Sequence, residues 1–222
     1  TFGDMGLASC LLYLQKKDML TNFAYYLAKN PPQYEVQIQE NTSWSCAHGV
    51  GRWMRDCSCN TGKYPKGNQK WRKHLRNAYD YLRDALIPIF ENEMNDLLHD
   101  PWKARDDYIS VILNRSLETI ENFFHENSRK DLNHEEKKKI LKHMEIQRNA
   151  MLMYTSCGFF FDDISGIETI QILSYAKRAL ELLNNQDVEN HFIELLKKAK
   201  SNEPEYQNVA YIYQQIKPVT LK

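Results

Sequence analysis

Residues 165–184, Ser165-Gly166-Ile167-Glu168-Thr169-Ile170-Gln171-Ile172-Leu173-Ser174-Tyr175-Ala176-Lys177-Arg178-Ala179-Leu180-Glu181-Leu182-Leu183-Asn184, carry the pattern that decides the fold class. Ile167, Ile170, Leu173, Ala176, Leu180 and Leu183 recur at spacings of three and four, which lines one face of an α-helix. Ser165 and Glu168 match the reciprocal capping box of a helix start, which gives Glu168 a structural task. The spacing therefore predicts a helix running to about Asn184.

The same period extends in both directions. Upstream it predicts a helix from Asn133 to Tyr154, where Asn133 and Glu136 mimic a capping box, and another over about Leu117 to Glu126. Trp71, Leu75, Ala78, Leu82, Leu86 and Phe90 continue it through a long helix over about Asn68 to Leu98, which Pro88 should kink. Asp100 is an N-cap before Pro101 at the first helical position. Two shorter helices, near Val188 to Lys200 and Tyr206 to Lys217, follow the quoted stretch. Near the start, helices are predicted over Asp4 to Lys16 and Thr21 to Lys29, the second ended by Asn30-Pro31-Pro32. Tyr34 to Ile38 alternates apolar and polar residues and reads as one short extended piece. The expected fold is all-α: one multi-helix bundle over residues 1–222 with at most that one extended segment.

Composition narrows the partners. Lys and Arg together number 29 and so do Asp and Glu, so no net field gathers phosphate backbones or anionic lipid. Nucleic acid and membrane are both excluded as expected partners. The basic run Lys63, Lys66, Lys70, Arg72, Lys73 and Arg76 reads as a solvated face. No apolar run approaches the roughly 20 residues that span a bilayer. Five cysteines, an odd and sparse set, argue against a disulfide scaffold and for a reducing compartment, with cytoplasm as the default. The chain opens on Thr1 in a stretch that already reads as helix, which suggests that it begins mid-protein.

Two stretches concentrate reactive side chains. The first is Thr42-Ser43-Trp44-Ser45-Cys46-Ala47-His48-Gly49, continued by Arg52 and Trp53, and predicted to lie on a capped helix around Ser45 to Arg55 ahead of a loop over 60–69. Near a helix start the Cys46 thiolate is favoured by the dipole. Cys46 and His48 are two apart, however, and such positions do not face each other on a helix. Cys46, His48, Cys57, Cys59 and Cys157 are zinc-ligand types, but Cys57-x-Cys59 is one residue tighter than the usual knuckle, so the spacing points away from a metal. The second stretch, Tyr154 to Asp163, offers Phe159, Phe160 and Phe161 followed by Asp162 and Asp163. Flat rings beside carboxylates suit sugar faces and hydroxyls; core rings with a helix-start aspartate account for them equally well.

The strings ENTSWSCAHGVGRWMRDCSCNTG (40–62) and YTSCGFFFDDISGIETIQILSYAKRA (154–179) resemble the C-terminal domain of bacterial α-amylase-like proteins of glycoside hydrolase family 57. In that family a distorted barrel bearing a glutamate nucleophile and an aspartate acid/base is followed by a helical domain that closes one side of the cleft. The opening TFGDMGLA is similar to the segment just after the family's Asp-Gly-Glu motif. The resemblance thus implies that both catalytic carboxylates lie upstream, that the partners are this barrel and an α-glucan or related oligosaccharide, and that no cofactor is needed. It assigns Ser43, Trp44, Cys46 and His48 to a cleft-facing helix, with Trp44 stacking on sugar and His48 and Arg52 contacting hydroxyls. Phe160, Asp162 and Asp163 stand near the cleft by the same likeness. Retaining hydrolysis needs two carboxyl groups about 5–5.5 Å apart, and the adjacent side chains of Asp162 and Asp163 should diverge; no catalytic residue is expected in this chain. Two other readings stay open: a non-catalytic helical interaction module, and a thiol or metal protein built on the cysteines.

Overall fold

The computed structural model describes residues 2–17 and 19–217 and separates into two compact units, Thr1–Glu40 and Asn41–Lys222. Among the described residues all regular structure is helical; there is no strand, only isolated bridges pairing Leu98 with Ser128 and Lys200 with Asn208. The all-α expectation holds. No helix of the described residues is long and apolar enough to cross a membrane.

The first unit holds α1 (Phe2–Gln15) and α2 (Phe23–Lys29). Asn22 caps α2 by accepting from the Tyr25 N–H at 2.9 Å, and Asn30 ends it just before the two prolines. The alternating stretch Tyr34–Ile38 pairs with no strand and lies exposed. So do Met5, Leu7, Leu12, Tyr13, Phe23, Val36 and Ile38. This unit buries almost nothing of its own apolar surface. Thr1, on which the expectation of a mid-protein start rests, lies outside the described residues.

The second unit is a bundle of α3 (Trp71–Met94), α4 (Pro101–Asp107), α5 (Ile109–Leu113), α6 (Leu117–Asn127), α7 (His134–Leu152), α8 (Cys157–Phe160), α9 (Ile167–Leu183), α10 (Gln186–Leu196) and α11 (Val209–Gln215). Its core has two parts. The N-terminal half of α3 packs through Leu75, Tyr79 and Leu82 against α9, α10 and α11, represented by Ile172, Phe192 and Tyr213. Beyond Pro88, Phe90 and Met94 belong instead to a second cluster with Tyr108, Phe123 and Met144. Because α3 and α7 contribute to both clusters, they bind the bundle into one body. Full burial of each such side chain contributes on the order of 2 kcal/mol, and these two helices couple the clusters.

Caps behave mostly as their chemistry dictates. Asp100 accepts from the N–H groups of Trp102 and Lys103 at 2.9 and 3.0 Å, and Asn133 and Glu136 form their reciprocal box at 3.0 and 2.9 Å. The box expected at Ser165 does not form. Helix α9 starts one residue later than that pattern requires, with Gly166 as N-cap and Glu168 at the second position, so its carboxylate is out of register. The apolar stripe is shifted too: Ile167 is 76 % exposed, and Ile172, Leu173, Ala176 and Leu180 form the buried face. Helix α8 fixes that face, since a Cβ on Gly158 would stand 2.3 Å from Ile172 Cδ1.

His143 on α7 is buried beside Phe90, ring centroids 6.4 Å apart. Desolvation holds its pKa down at about 4, against an ordinary 6.5. A base whose folded pKa is depressed binds its proton more readily in the unfolded chain, so stability is complete above pH 6.5 and declines as pH falls towards 4. The expected outcome is a falling unfolding midpoint between pH 6.5 and 5, above the range where carboxylates titrate. In His143→Gln that slope should flatten, as read by thermal denaturation across the same pH series.

Candidate functional site

Residues 41–70 contain one short 3-10 turn, Gly51–Trp53, and otherwise no regular structure. The helix expected over Ser45 to Arg55 is therefore absent, and the reason is local. Gly49 sits in the left-handed region at φ 68°, where a Cβ would lie 2.3 Å from the Asn41 carbonyl oxygen. A chain folded back that tightly cannot continue as a helix. Ser43 locks the turn by donating from Oγ to the Gly49 carbonyl at 3.0 Å.

The fold-back brings together side chains that a helix would keep apart. Cys46 Sγ lies 3.8 Å from Cys57 Sγ, 3.7 Å from Cys59 Sγ and 3.9 Å from His48 Nδ1, and Cys59 Sγ lies 3.5 Å from the same nitrogen. All four ligand-type atoms lie within 4.8 Å of one another. No pair is a disulfide, which needs sulfurs about 2.05 Å apart. Two residues of spacing suffice at Cys57-x-Cys59 because Ser58 adopts a positive φ of 64°, which turns both thiols towards one point. Sequence spacing argued against this gathering because it presumed an ordinary knuckle and an intact helix.

Cys46 and Cys59 are shifted in opposite directions. Burial pushes the Cys46 thiol up, but hydrogen bonds from the main chain of His48 and Arg52 and from the side chains of Cys59 and His48 outweigh it and bring the pKa down to about 6. These main-chain groups take the place of the helix dipole expected there. Cys59, desolvated and beside the other two thiols, is pushed up to about 11. Cys157 is exposed, and no part of the cluster.

Two buried guanidiniums flank the cluster. Arg52 donates from Nε to the Phe160 carbonyl at 3.0 Å and from Nη1 to the Ser45 carbonyl at 3.2 Å, its guanidinium carbon 3.8 Å above the Phe160 ring centre. Arg72, completely buried, donates to the carbonyls of Phe159, Cys59, Phe160 and Phe161 at 2.8 to 3.1 Å. The basic run 63–76 reads as a solvated face, but its Arg72 is buried because these four carbonyls need its donors. Trp53 adds a hydrogen bond from its indole nitrogen to the Ser156 carbonyl at 3.0 Å.

The two aspartates diverge as expected, but both turn inward. Asp162 accepts from the N–H groups of Thr61 and Lys63 at 2.6 and 2.9 Å; its pKa is held down because these bonds and the charge of Arg72 outweigh burial. Asp163 accepts from Ser165 N–H, Ser201 Oγ and Asn202 N–H at 3.0, 2.8 and 2.6 Å. Arg52, Asp162 and Asp163 thus make these contacts within the protein, and all three are buried. Ser43 closes a turn, Cys46 and His48 join the cluster, and Phe160 lies under Arg52. Trp44 is the exception, 95 % exposed. A groove of about 690 Å³ elsewhere, bordered by Tyr108, Arg115, Glu145 and Tyr175, includes none of these residues.

A family model described as "Domain of unknown function (DUF3536)" matches residues 67–221. It covers the bundle with Arg72 and the 154–163 turn, and leaves the Cys and His residues just upstream of it. No curated protein and no solved structure matches the chain.

A structural role for Asp162 and an outward one for Trp44 predict different stability effects. Asp162→Ala removes two charge-assisted acceptors and should destabilise the second unit by about 3 kcal/mol, whereas Trp44→Ala should leave the denaturant midpoint within about 0.5 kcal/mol of the parent. Chemical denaturation of both variants checks the pair.

Proposed function

The chain belongs to the DUF3536 family, and from that premise we propose that it is the helical C-terminal part of an α-amylase-like protein resembling glycoside hydrolase family 57, where it forms one wall of the sugar cleft of a catalytic barrel. The likeness of residues 40–62 and 154–179 to that family names the class of parent protein. Its partners are the barrel and an α-glucan or a related oligosaccharide.

The observation that carries this reading is Trp44: an indole 95 % exposed, set in the turn that Ser43 and Gly49 close. An aromatic ring presented outward is a ready stacking surface for the C–H face of a pyranose. The first unit supports the same picture. Met5, Leu7, Tyr13 and Phe23 are all more than half exposed, and apolar side chains presented this densely call for a protein surface to cover them. TFGDMGLA, similar to the segment after the family's acid/base motif, makes the barrel that surface. Hydrolysis or glucanotransfer is then the work of the barrel's two carboxylates, because main-chain donors occupy Asp162 and Asp163.

The test is made in the protein carrying both barrel and bundle. Loss of one stacked ring is worth about 1–2 kcal/mol, so Trp44→Ala should lower kcat/KM on maltooligosaccharides by about 5- to 30-fold while the unfolding midpoint stays put. Unchanged kcat/KM in that variant, or a parent protein inert on α-glycans, rejects the reading.

A further inference from the structure

We propose that Cys46, His48, Cys57 and Cys59 bind one zinc ion, through three thiolate sulfurs and the Nδ1 nitrogen of His48, as a structural site that fixes residues 41–70. The inference is independent of the carbohydrate reading. It stands on the distances, on the composition of the segment and on the charge around it.

Zinc–sulfur bonds of about 2.3 Å and zinc–nitrogen bonds of about 2.0–2.1 Å, set at tetrahedral angles, place two sulfurs about 3.8 Å apart and a sulfur and a nitrogen about 3.6 Å apart. The observed separations are 3.8 and 3.7 Å between sulfurs and 3.9 and 3.5 Å from sulfur to Nδ1. Four of the six edges of a zinc tetrahedron are thus already close to length, and the other two, from Cys57 Sγ to Cys59 Sγ and to His48 Nδ1, are within 4.8 Å. A cluster of several irons would spread its sulfurs farther, and hard cations prefer oxygen; three thiolates with an imidazole in a single small tetrahedron select zinc. With four protein ligands no position is left for water or substrate, so the site is structural and not catalytic.

The segment needs such a staple. Within 41–70 the buried residues are Cys46, Gly51, Arg52, Cys57 and Gln69, none of them aliphatic or aromatic. Thirty residues without helix or apolar core do not offset their own ordering entropy, whereas a bound metal contributes its binding free energy directly to folding. Gly51 permits the convergence: a Cβ there would lie 3.2 Å from His48 Cβ and 3.3 Å from Cys57 Cβ.

Charge completes the case. Binding joins Zn2+ to three thiolates and a neutral imidazole, giving a complex of net charge −1 and releasing to solvent the protons that the thiols still carry. Arg52 and Arg72 bring two buried positive charges to the main chain of Ser45 and Cys59, and one Arg52 nitrogen, Nη2, has no hydrogen-bond partner. Asp162 supplies one negative charge near Arg72. The zinc complex, of net charge −1, places a compensating negative charge beside these two cations.

The 222-residue chain, purified under reducing conditions and dialysed, should hold about one zinc per molecule by elemental analysis. Metal-free chain titrated with Co2+ should develop thiolate-to-cobalt charge-transfer and intense tetrahedral d–d absorption saturating at one equivalent, displaced by Zn2+. Cys157→Ser should keep both signals; Cys59→Ser should weaken binding at least about ten-fold. Before chelation only the exposed Cys10 and Cys157 should react rapidly with a thiol reagent, and after chelation all five cysteines. The proposal is overturned if reduced, metal-free chain gives no Co2+ band, since that measurement needs no variant to fold. Equal reactivity of all five thiols in the zinc-supplemented chain overturns it as well.

Discussion

Everything near the candidate site depends on the guanidinium of Arg72. It stands at the start of α3, wholly buried, and its donors reach the carbonyls of Phe159, Phe160 and Phe161 on one side and of Cys59 on the other. Those carbonyls belong to the end of a one-turn helix and to an irregular loop, places where main-chain acceptors have no partner of their own and would be costly to bury unpaired. A planar, always charged fork with five donors meets several carbonyls from one point, which a lysine does not do. Through this side chain the turn at 157–161 and the segment 41–70 are both tied to the start of α3.

A buried cation bound mainly to neutral carbonyls sets a second requirement, namely negative charge nearby. Asp162 meets part of it and in doing so orders the Thr61 and Lys63 amides. Arg52 adds a further positive charge over the Phe160 ring. The thiol–imidazole cluster lies against the same two arginines, where thiolate is the favoured state of at least Cys46. Burial, charge and main-chain satisfaction therefore act on one small volume, while the bundle beneath it is held by ordinary apolar contacts around Tyr79, whose ring meets those of Tyr154, Phe159 and Phe192 at 5.9 to 6.1 Å.

The bundle was legible from periodicity because helix burial is a local, repeating property. Asp100 and the Asn133–Glu136 pair were legible for the same reason, since a cap and its partners lie within a few residues. The Ser165–Glu168 box was misread by one residue: a capping pattern names the residue types without fixing the register, which here follows Gly166 and the packing of Gly158 on Ile172. The candidate site was half legible. Its residue types were conspicuous at 42–53 and 154–163, yet helix was the wrong frame for the first, because nothing local announces that Gly49 takes a positive φ against the Asn41 carbonyl.

By itself the sequence determined an all-helical chain, the positions of its longer helices and the two stretches where chemistry concentrates. Spacings of three and four, prolines and capping residues act within one or two turns and need no tertiary partner. The tertiary structure alone decided that Asp162, Asp163 and Arg52 face inward, that Trp44 faces out, and that three cysteines and a histidine converge. The inward turn of Arg52 and Asp162 depends on contacts across about a hundred residues, Arg52 with Phe160 and Thr61 with Asp162, while the cysteines and His48 converge through the fold-back at Gly49; in both cases the direction of a side chain is set by backbone geometry that residue spacing does not specify.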